Sequence, residues 1–582
     1  MAIASWLPFS ALKPLIDSLA GDGQVEAFTP LLFQPLRIWL GLLSLGMLAA
    51  GCWAFLFRGT SQSLARRAWQ GLISAWRNLW RDLGELRRSL LNIERDPRYL
   101  LSLLFLFALG IYVRGRLLAQ PFRYDESYTF IAFALRPFRA AISDYHLPNN
   151  HIFHTVLVRA AYLLFGPQPW AVRLPAFLSG ALLAPAAYLA ARLLYDRRVA
   201  LLSAGLVAAS WALIDYSANA RGYTMLILFW LLSLALGAYL KSHKNLAGWG
   251  LLALATALGF YTIPTMLYPF GMLMVWLFCC WLGRNTSSAY GRSFPLYLLG
   301  AGFATAALTL LLYVPVLRVS GFSAVTANQY VRSPGWEVFM QSIPGRVGAT
   351  WRMWRLGWPA YFDLLVLSGA AFSLVFHKRV AAHRFPLHLA VGLGLAGMLV
   401  VQQIVAVPKV WLFLLPLFLI WVAAGWVGLA KFLLQRFKFK QASWWESAFI
   451  LASLGLAILL AFRALDNRAA ARAADAEEQS IPQEVALYLK DNLRDGDAVL
   501  AAVPINYPLR YYFLLYNVPA EYYYQEGLVA GYQRLLVVVE PGSNRPLEYV
   551  LERQGLLPRV DLPAAVSIYR SGTIAIYALP FR

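Results

Sequence analysis

The chain has 582 residues, of which 59% are hydrophobic and 14% charged, and its formal net charge is +22. Soluble domains carry about 25% charged residues, so this composition excludes a soluble globular protein and indicates an integral membrane protein. The basic residues are spread between apolar segments instead of forming one patch. This distribution argues against nucleic-acid binding and favours the positive-inside arrangement of membrane loops.

The apolar segments approach the length of about 20 residues that a membrane-spanning helix needs. The sequence therefore predicts a polytopic α-helical protein that crosses the lipid bilayer with about twelve transmembrane helices. Their approximate bounds are 33–57, 99–119, 173–194, 199–217, 223–240, 246–263, 265–282, 294–317, 361–376, 386–406, 410–429 and 444–463.

Lys and Arg residues predict the orientation of these spans. Loops that contain Arg197, Lys244, Arg284, Lys378 and Lys431 alternate with less basic loops. By the positive-inside rule, the basic loops are cytoplasmic. We therefore expect a multi-pass protein of the cell's inner (plasma) membrane, with the other loops and the C-terminal segment on the extracytoplasmic side.

Residues 1–98 are predicted to form an N-terminal extension of one extra span and one basic helix. Between residues 58 and 98, arginines such as Arg77 and Arg81 lie beside Trp76 and Trp80. This pattern is typical of an amphipathic helix that lies on anionic headgroups, here on the cytoplasmic face.

Three predicted outer segments are longer than simple turns. The first, Leu118 to Trp170, includes an apolar stretch from His151 to Phe165 that is too short to span and suits an interfacial helix. The second, Ser320 to Ala360, mixes Arg with Trp and favours helices on the outer leaflet. The third is 466–582, predicted to be a soluble α/β domain after a transmembrane catalytic module at 99–465.

The predicted C-terminal domain has alternating helix-like and strand-like segments. Strand-like segments lie at 498–503 and 535–539 and near residues 565 and 574; helix-like segments lie at 482–492, 509–516 and 546–554. This alternation is what predicts a small α/β fold outside the membrane.

Asp125 and Glu126 directly follow the span 99–119. Charge near a membrane face is costly unless it lies in a wet cavity or takes part in chemistry. Partial desolvation raises the pKa of a carboxylate, so that either residue can serve as a general base on a membrane-borne substrate. The alternative is that both simply cap the span at the water interface.

The same loop is rich in histidine. His146, His151 and His154 fall close together, and the last two are three residues apart, so one helical face can present both. Histidine and carboxylate can hold a divalent metal, and His151 with Glu126 is the candidate pair. Because cysteine ligands and an HExxH spacing are lacking, no cofactor is certain, and polar residues tiling an interfacial helix are the alternative.

Two further polar clusters lie at predicted outer corners. Arg221 precedes Gly222 after the span 199–217, and Gln402 and Lys409 flank a later corner. An Arg in a tight corner can offer a bidentate donor to phosphate, although snorkelling at a helix end is the alternative. Three polar clusters on one face of a membrane bundle favour a binding site there.

These motifs resemble those of the polyprenyl-phosphate-dependent glycosyltransferases of the GT-C superfamily. The residues that carry the resemblance are Asp125-Glu126, Asn149-Asn150-His151, Phe165-Gly166, Arg173-Leu174-Pro175 and Arg221-Gly222-Tyr223. The likeness extends over residues 99–430 and is closest to bacterial relatives of protein O-mannosyltransferases and of the lipid A aminoarabinose transferase. It implies a GT-C-like fold with interfacial helices in the first outer loop and a soluble outer domain after the last span.

The resemblance implies transfer of a sugar from a polyprenyl-phosphate donor to a hydroxyl of a lipid, glycan or protein acceptor, by an inverting single displacement. Asp125 is the expected base, and Glu126 has a supporting role. The residues expected at the donor phosphate are Arg221, Tyr223, Lys409 and Arg123; those expected at the acceptor or sugar are His146, Asn149, Asn150, His151, Asn219 and Gln402.

Two other functions remain open from the sequence. One is a transporter or flippase of lipid-linked sugars, and the other is a ligase that joins a whole glycan to its acceptor. Transport sites lie near the bilayer midplane, whereas the centres of these spans are nearly free of charge. This favours an interfacial enzyme over a transporter.

Overall fold

A computed structural model describes residues 8–20, 30–56, 58–328, 332–383, 385–437, 443–524, 531–542 and 545–582. Residue 57, the end of the first predicted span, lies outside the described residues. The chain forms two compact units, residues 1–88 and 89–582, and each is described by itself.

The first unit is helical where it is described. Its helices are Phe9–Ala20, Pro30–Leu56 and Arg58–Leu91, the last of which ends just beyond the unit. The third helix is the basic amphipathic helix predicted over 58–98, although it ends at Leu91. Trp76 and Trp80 are exposed on it, with their ring centroids 5.5 Å apart.

Within the described residues, 7 helices are long and apolar enough to cross a membrane. They are Pro97–Gly115, Pro169–Leu194, Tyr223–Leu240, Pro264–Leu282, Phe294–Val319, Pro408–Arg436 and Trp444–Asp466. An eighth predicted span is a pair of helices, Arg197–Ala209 and Trp211–Ser217, bent by 58°. The remaining predicted spans correspond to apolar helices of 10–17 residues: Phe33–Ala49, Leu246–Thr262, Phe362–Val375 and Leu387–Gln402. The polytopic helical fold is confirmed, with several helices shorter than the sequence predicted.

The span 169–194 consists of two successive helices, and some other spans begin with a 3-10 turn. The helices in question are Pro169–Ala181, Leu183–Leu194, Leu267–Leu282 and Leu414–Arg436, and the turns are Pro264–Met266 and Pro408–Phe413. Shorter helices and turns lie between spans at Ser288–Tyr290, Phe322–Thr326, Trp336–Arg355 and His377–Val380.

Arg114, buried in the helix Pro97–Gly115, supports the bend between Ala209 and Trp211. A helix that ends leaves its last carbonyls without intrahelical partners. The Arg114 guanidinium donates to the Ala208 carbonyl at 3.0 Å and to Ser217 Oγ at 3.0 Å. This buried charge is therefore engaged in packing the bent span.

The first predicted outer loop, Leu118 to Trp170, folds into short helices at Tyr124–Thr129, Phe138–Ser143 and Ile152–Phe165. The last of these is the predicted interfacial helix. The first, which we call the site helix, continues directly into a π-helical turn at Phe130–Ala134. π-Helical turns are rare and frequently occur at functional sites.

The C-terminal region contains a four-stranded sheet in the order β1-β2-β4-β3. The strands are β1 (Asp497–Ala501), β2 (Arg534–Val539), β3 (Val566–Ser571) and β4 (Ile574–Pro580). β1 and β2 are parallel, and the other two pairings are antiparallel. Helices lie at Asn506–Leu515 and Leu547–Arg553, with 3-10 turns at Ala520–Tyr522, Leu557–Arg559 and Leu562–Ala564. The predicted α/β character is confirmed.

One helix of 50 residues, Ser443–Asn492, joins the last span to this sheet. The sequence had predicted a change of structure at residue 466 and a separate helix from Pro482. The alanine-rich stretch after residue 466 has high helix propensity, so the change from apolar to charged composition does not end the helix.

The helix Asn506–Leu515 of the C-terminal region packs against the first predicted outer loop. The Phe122 and Tyr511 rings stack with centroids 3.8 Å apart, and the Tyr512 hydroxyl accepts the Phe122 N–H at 3.1 Å. Tyr507 contacts Tyr128 on the site helix, with ring centroids 4.4 Å apart. One hydrophobic cluster therefore joins the C-terminal region to the segment that carries Asp125 and Glu126.

Candidate active site around Asp125

Asp125 meets two cations that come from distant parts of the chain. Its Oδ2 atom lies 2.6 Å from Lys409 Nζ, in the turn Pro408–Phe413, and 3.3 Å from Arg221 Nη1. Arg221 follows the bent span and is almost completely buried, whereas 39% of the Asp125 side chain is exposed. The three polar clusters that the sequence predicted on one face of the bundle thus lie together in one site, which is accessible at the Asp125 carboxylate.

The two cations decide the ionisation of Asp125. Burial raises the pKa of this carboxyl group, but Arg221 and Lys409 more than offset burial, so its pKa lies below the usual value. The sequence had predicted the opposite, a pKa raised by desolvation. Asp125 is consequently ionised at neutral pH and able to accept a proton or a hydrogen bond from a hydroxyl.

Glu126, the neighbouring carboxylate, points into the protein. Its side chain and that of Arg173 are both fully buried. Arg173 Nε donates to Oε2 at 2.8 Å and Nη2 to Oε1 at 3.0 Å, while the Ala220 N–H donates to Oε2 at 3.0 Å. Glu126 therefore links the site helix to the Arg173 helix and to the backbone just before Arg221.

This geometry corrects the expectation that Glu126 is a catalytic or metal-binding residue. Both of its oxygens accept hydrogen bonds from fixed donors, and no part of its side chain reaches solvent. In the part of the chain that the structure describes, no three His, Cys, Asp or Glu side chains come together as a metal site. The residues present do not fit a metal held by Glu126 and His151.

Arg221 lies at the centre of the predicted donor residues. Its Nη2 atom donates to Asn149 Oδ1 at 3.2 Å and lies 3.3 Å from His151 Nε2. The guanidinium lies 5.6 Å from the centre of the Tyr223 ring, which in turn meets the His151 ring edge-on at 5.1 Å. Asn149, His151, Arg221 and Tyr223 thus form one contiguous group beside Asp125.

His151 is fixed by a backbone contact. The Gly222 N–H donates to His151 Nδ1 at 2.8 Å. A side chain on Gly222 is excluded, because its Cβ would lie 2.7 Å from Thr262 Cγ2 and 3.1 Å from His151 Cβ. Glycine at this corner therefore lets the backbone approach the imidazole.

Other predicted site residues have partners that explain them differently. Arg123 makes a bidentate ion pair with Asp215, which corrects its assignment to the donor phosphate. The buried Asn150 amide donates to the carbonyls of Ala141 and Asp144 at 2.9 and 2.8 Å, so it shapes the loop instead of facing a substrate.

Three more predicted residues lie at the edges of the group. The His146 imidazole lies 2.6 Å from Asp144 Oδ1 and 2.8 Å from the Tyr128 hydroxyl. Gln402 accepts the Tyr268 hydroxyl. The buried Asn219 accepts the Arg221 backbone N–H through its backbone carbonyl, while its side-chain Oδ1 has no hydrogen-bond partner among the described residues.

Arg173, which holds Glu126, had no predicted role. A signal was present in the sequence, since Arg173 begins the predicted span 173–194, and a charged residue at a membrane needs a partner. Tyr507, Tyr511 and Tyr512 were not predicted at the site either, because contacts between the C-terminal region and the segment around Asp125 leave no local pattern in the sequence.

Comparison with known proteins gives one family match over part of the chain and several solved structures with a similar fold. Residues 150–318 match the model of the family described as dolichyl-phosphate-mannose-protein mannosyltransferase. No curated protein sequence matches the chain. The apo crystal structure of ArnT from Cupriavidus metallidurans is 16% identical, covers 82% of this chain and 97% of its own, and gives a TM-score of 0.52.

Two further solved structures are similar. ArnT from the same organism bound to undecaprenyl phosphate is 16% identical with the same coverage and a TM-score of 0.50. The oligosaccharyltransferase of Archaeoglobus fulgidus is 12% identical over 82% of this chain and 72% of its own, with a TM-score of 0.43. The resemblance of the chain to the GT-C glycosyltransferase superfamily is therefore confirmed, by the ArnT-like fold over most of its length and by the family match over residues 150–318.

Proposed function

We propose that the chain is a membrane glycosyltransferase that moves a sugar from a polyprenyl-phosphate donor to an acceptor hydroxyl. The observation that carries the proposal is the position of Lys409 and Arg221, whose nitrogens both lie within 3.3 Å of the same carboxylate oxygen of Asp125. An ionised carboxylate suits an acceptor hydroxyl, and the two cations suit a phosphate leaving group. Carboxylate and cations in one site are what this reaction requires.

The reaction follows from these roles. The acceptor oxygen attacks the anomeric carbon, and the bond from that carbon to the phosphate oxygen breaks, leaving its electron pair on the phosphate. Asp125 takes the proton of the attacking hydroxyl, while Arg221 and Lys409 stabilise the departing phosphate. Attack opposite the leaving group inverts the anomeric configuration.

The relatives support a lipid-linked donor. The matched family is described by dolichyl-phosphate-mannose, and one ArnT structure holds undecaprenyl phosphate. We extend this kind of donor to the present chain, with a lipid, glycan or protein as acceptor.

The positive-inside pattern supports the orientation. From it we expect Asp125 and the predicted soluble domain, 466–582, on the extracytoplasmic side of the plasma membrane, with the predicted catalytic module at 99–465. Arg114 supports an enzyme over a transporter, because the guanidinium inside its span is engaged by a carbonyl and a hydroxyl. A midplane transport site needs polar groups that are open to a substrate.

The direct test supplies the purified full chain in nanodiscs with a panel of polyprenyl-phosphate sugars and a membrane-lipid extract as acceptor. We expect release of free polyprenyl phosphate from at least one donor, with sugar appearing on the acceptor. Sugar lipid that crosses the bilayer intact, without release of lipid phosphate, would instead support a flippase. Transfer of whole oligosaccharides only would support a ligase.

Arg221→Ala should weaken use of the lipid-phosphate donor by about 2 kcal/mol, because the buried guanidinium forms charge-assisted hydrogen bonds with little competition from water. The measurement is the donor dependence of polyprenyl-phosphate release. Arg346→Ala, at an exposed position of the helix Trp336–Arg355, is the matched control and should change little. An unchanged donor dependence for Arg221→Ala would reject its role.

Lys409→Gln should move the acidic limb of the pH–rate profile to higher pH. Lys409 is one of the cations that hold the pKa of Asp125 down, so its removal raises that pKa. Because the ionised form of Asp125 is the active one, activity is lost as the pH falls through the pKa of Asp125, and the loss now begins at higher pH. The measurement is kcat/KM against pH for both proteins, and an unmoved or downward-shifted limb would contradict the assignment.

A further inference from the structure

The contact between Gly222 and His151 determines which imidazole nitrogen carries a proton. A backbone N–H can only donate, so His151 Nδ1, which accepts it at 2.8 Å, is unprotonated. A neutral imidazole with a bare Nδ1 carries its hydrogen on Nε2. Burial, together with the charge of Arg221, holds the pKa of His151 well below its usual range. His151 is therefore a neutral side chain with an N–H at Nε2.

That N–H faces another donor. His151 Nε2 lies 3.3 Å from Arg221 Nη2, and a guanidinium has no acceptor. Arg221 Nε is buried without a hydrogen-bond partner in the described chain, and Nη1 has only its ionic contact with Asp125. Buried donors left without acceptors are costly, so the arrangement requires an acceptor between or beside these nitrogens.

We infer that His151 is a ligand of the donor phosphate, to which it donates a hydrogen bond through Nε2 beside Arg221. This inference rests on the proposed function and assigns His151 to the phosphate, whereas its sequence context had suggested the acceptor, the sugar or a metal. A phosphate oxygen is a strong acceptor that an imidazole N–H and a guanidinium N–H share readily. Arg221 supplies the charge, and His151 supplies a donor of fixed direction.

The role in the reaction is stabilisation of charge. When the bond between the anomeric carbon and the phosphate oxygen breaks, negative charge on the phosphate grows, and a donor already held in place needs no reorganisation. His151 transfers no proton in this step, because Nδ1 stays occupied by Gly222 and Nε2 keeps its hydrogen. The hydrogen bond strengthens as the leaving group develops its charge.

Two substitutions separate the nitrogen atoms of His151. In His151→Asn, the amide oxygen can take the place of Nδ1 and accept the Gly222 N–H, but no donor reaches the position of Nε2. In His151→Gln, the amide nitrogen can take the place of Nε2 and donate. The probe is undecaprenyl phosphate without sugar, titrated into the full chain in nanodiscs of neutral lipid, with inorganic phosphate as a competitor.

We expect His151→Asn to weaken binding of undecaprenyl phosphate about 10-fold, and His151→Gln to retain most of the affinity. His243→Asn, a change at a histidine stacked on Tyr239 in a predicted cytoplasmic loop, should have no effect. Competition by inorganic phosphate in the wild type, weakened in His151→Asn, would support recognition of the phosphate group itself.

The inference is overturned if His151→Asn binds the lipid phosphate as tightly as the wild type, or if the Asn and Gln variants lose affinity equally while their thermal unfolding is unchanged. Loss of sugar-donor use with unchanged binding of undecaprenyl phosphate would place His151 at the sugar and also overturn it. Failure of the wild type to bind undecaprenyl phosphate at all would contradict the proposed function instead.

Discussion

Asp125→Asn should lower the turnover of sugar transfer by about 10² or more, because asparagine keeps the shape of the side chain but cannot accept the acceptor proton. The fold should be unaffected, since the carboxylate is partly exposed and the site helix is held by other contacts. Binding of polyprenyl phosphate should be unchanged or tighter, because Lys409 and Arg221 are no longer shared with a carboxylate. The measurement is turnover at saturating donor, with and without a chelator.

A matched control is Asp491→Asn, the same change at an exposed position near the end of the long helix Ser443–Asn492, which should be neutral. Near-wild-type turnover of Asp125→Asn would remove the basis of the proposed mechanism. If folded Glu126→Gln were inactive while Asp125→Asn remained active, the roles of the two carboxylates would have to be exchanged.

The sequence located Asp125, Arg221 and Lys409 because charged residues at the ends of apolar segments stand out by composition alone. It could not pair them, since Lys409 and Asp125 are 284 residues apart and only the helix packing brings them together. The pKa of Asp125 was predicted to be raised by desolvation, because the sequence does not reveal the two cations beside the carboxylate. The direction of the shift was therefore wrong, although the residue was the right one to single out.

The two adjacent carboxylates show a second limit. Asp125 and Glu126 look alike in sequence, but successive helical residues point in different directions, so one faces the accessible site and the other the core. Only the partner distinguishes them, and Arg173 is 47 residues from Glu126. Local patterns were sufficient for the short apolar helix at Ile152–Phe165 and the four strands, whose apolar periodicity is contained in a few residues.

Helix ends were predicted less well, for physical reasons. Hydropathy reports which residues avoid water, and hydrogen bonding decides where a helix ends. The helix Leu387–Gln402 ends before the predicted bound at residue 406. It ends because the next residue, Gln403, adopts a left-handed conformation. In the long helix Ser443–Asn492, hydropathy falls while alanine-rich sequence maintains the helix.

Glu126→Gln and Arg173→Met should each destabilise the protein by about 3–5 kcal/mol, because each leaves a fully buried charge without its oppositely charged partner. Arg173→Met should be the more severe, since Arg173 also donates to the carbonyls of Leu118, Gln120 and Pro121 at 2.8, 2.6 and 3.0 Å. The measurement is denaturant-induced unfolding of the full chain in detergent, followed by tryptophan fluorescence.

The double variant Glu126→Gln/Arg173→Met should be less destabilised than the sum of the two single variants, because it buries no unpaired charge. The control is Asp561→Asn, which removes an exposed ion pair with Arg582 at 3.2 Å and should cost less than about 1 kcal/mol. Strict additivity of the single variants would mean that the ion pair is not what makes them unstable. Single variants as stable as the wild type would show that Glu126 does not hold the site helix in place, and the separation of a structural Glu126 from a catalytic Asp125 would then lose its basis.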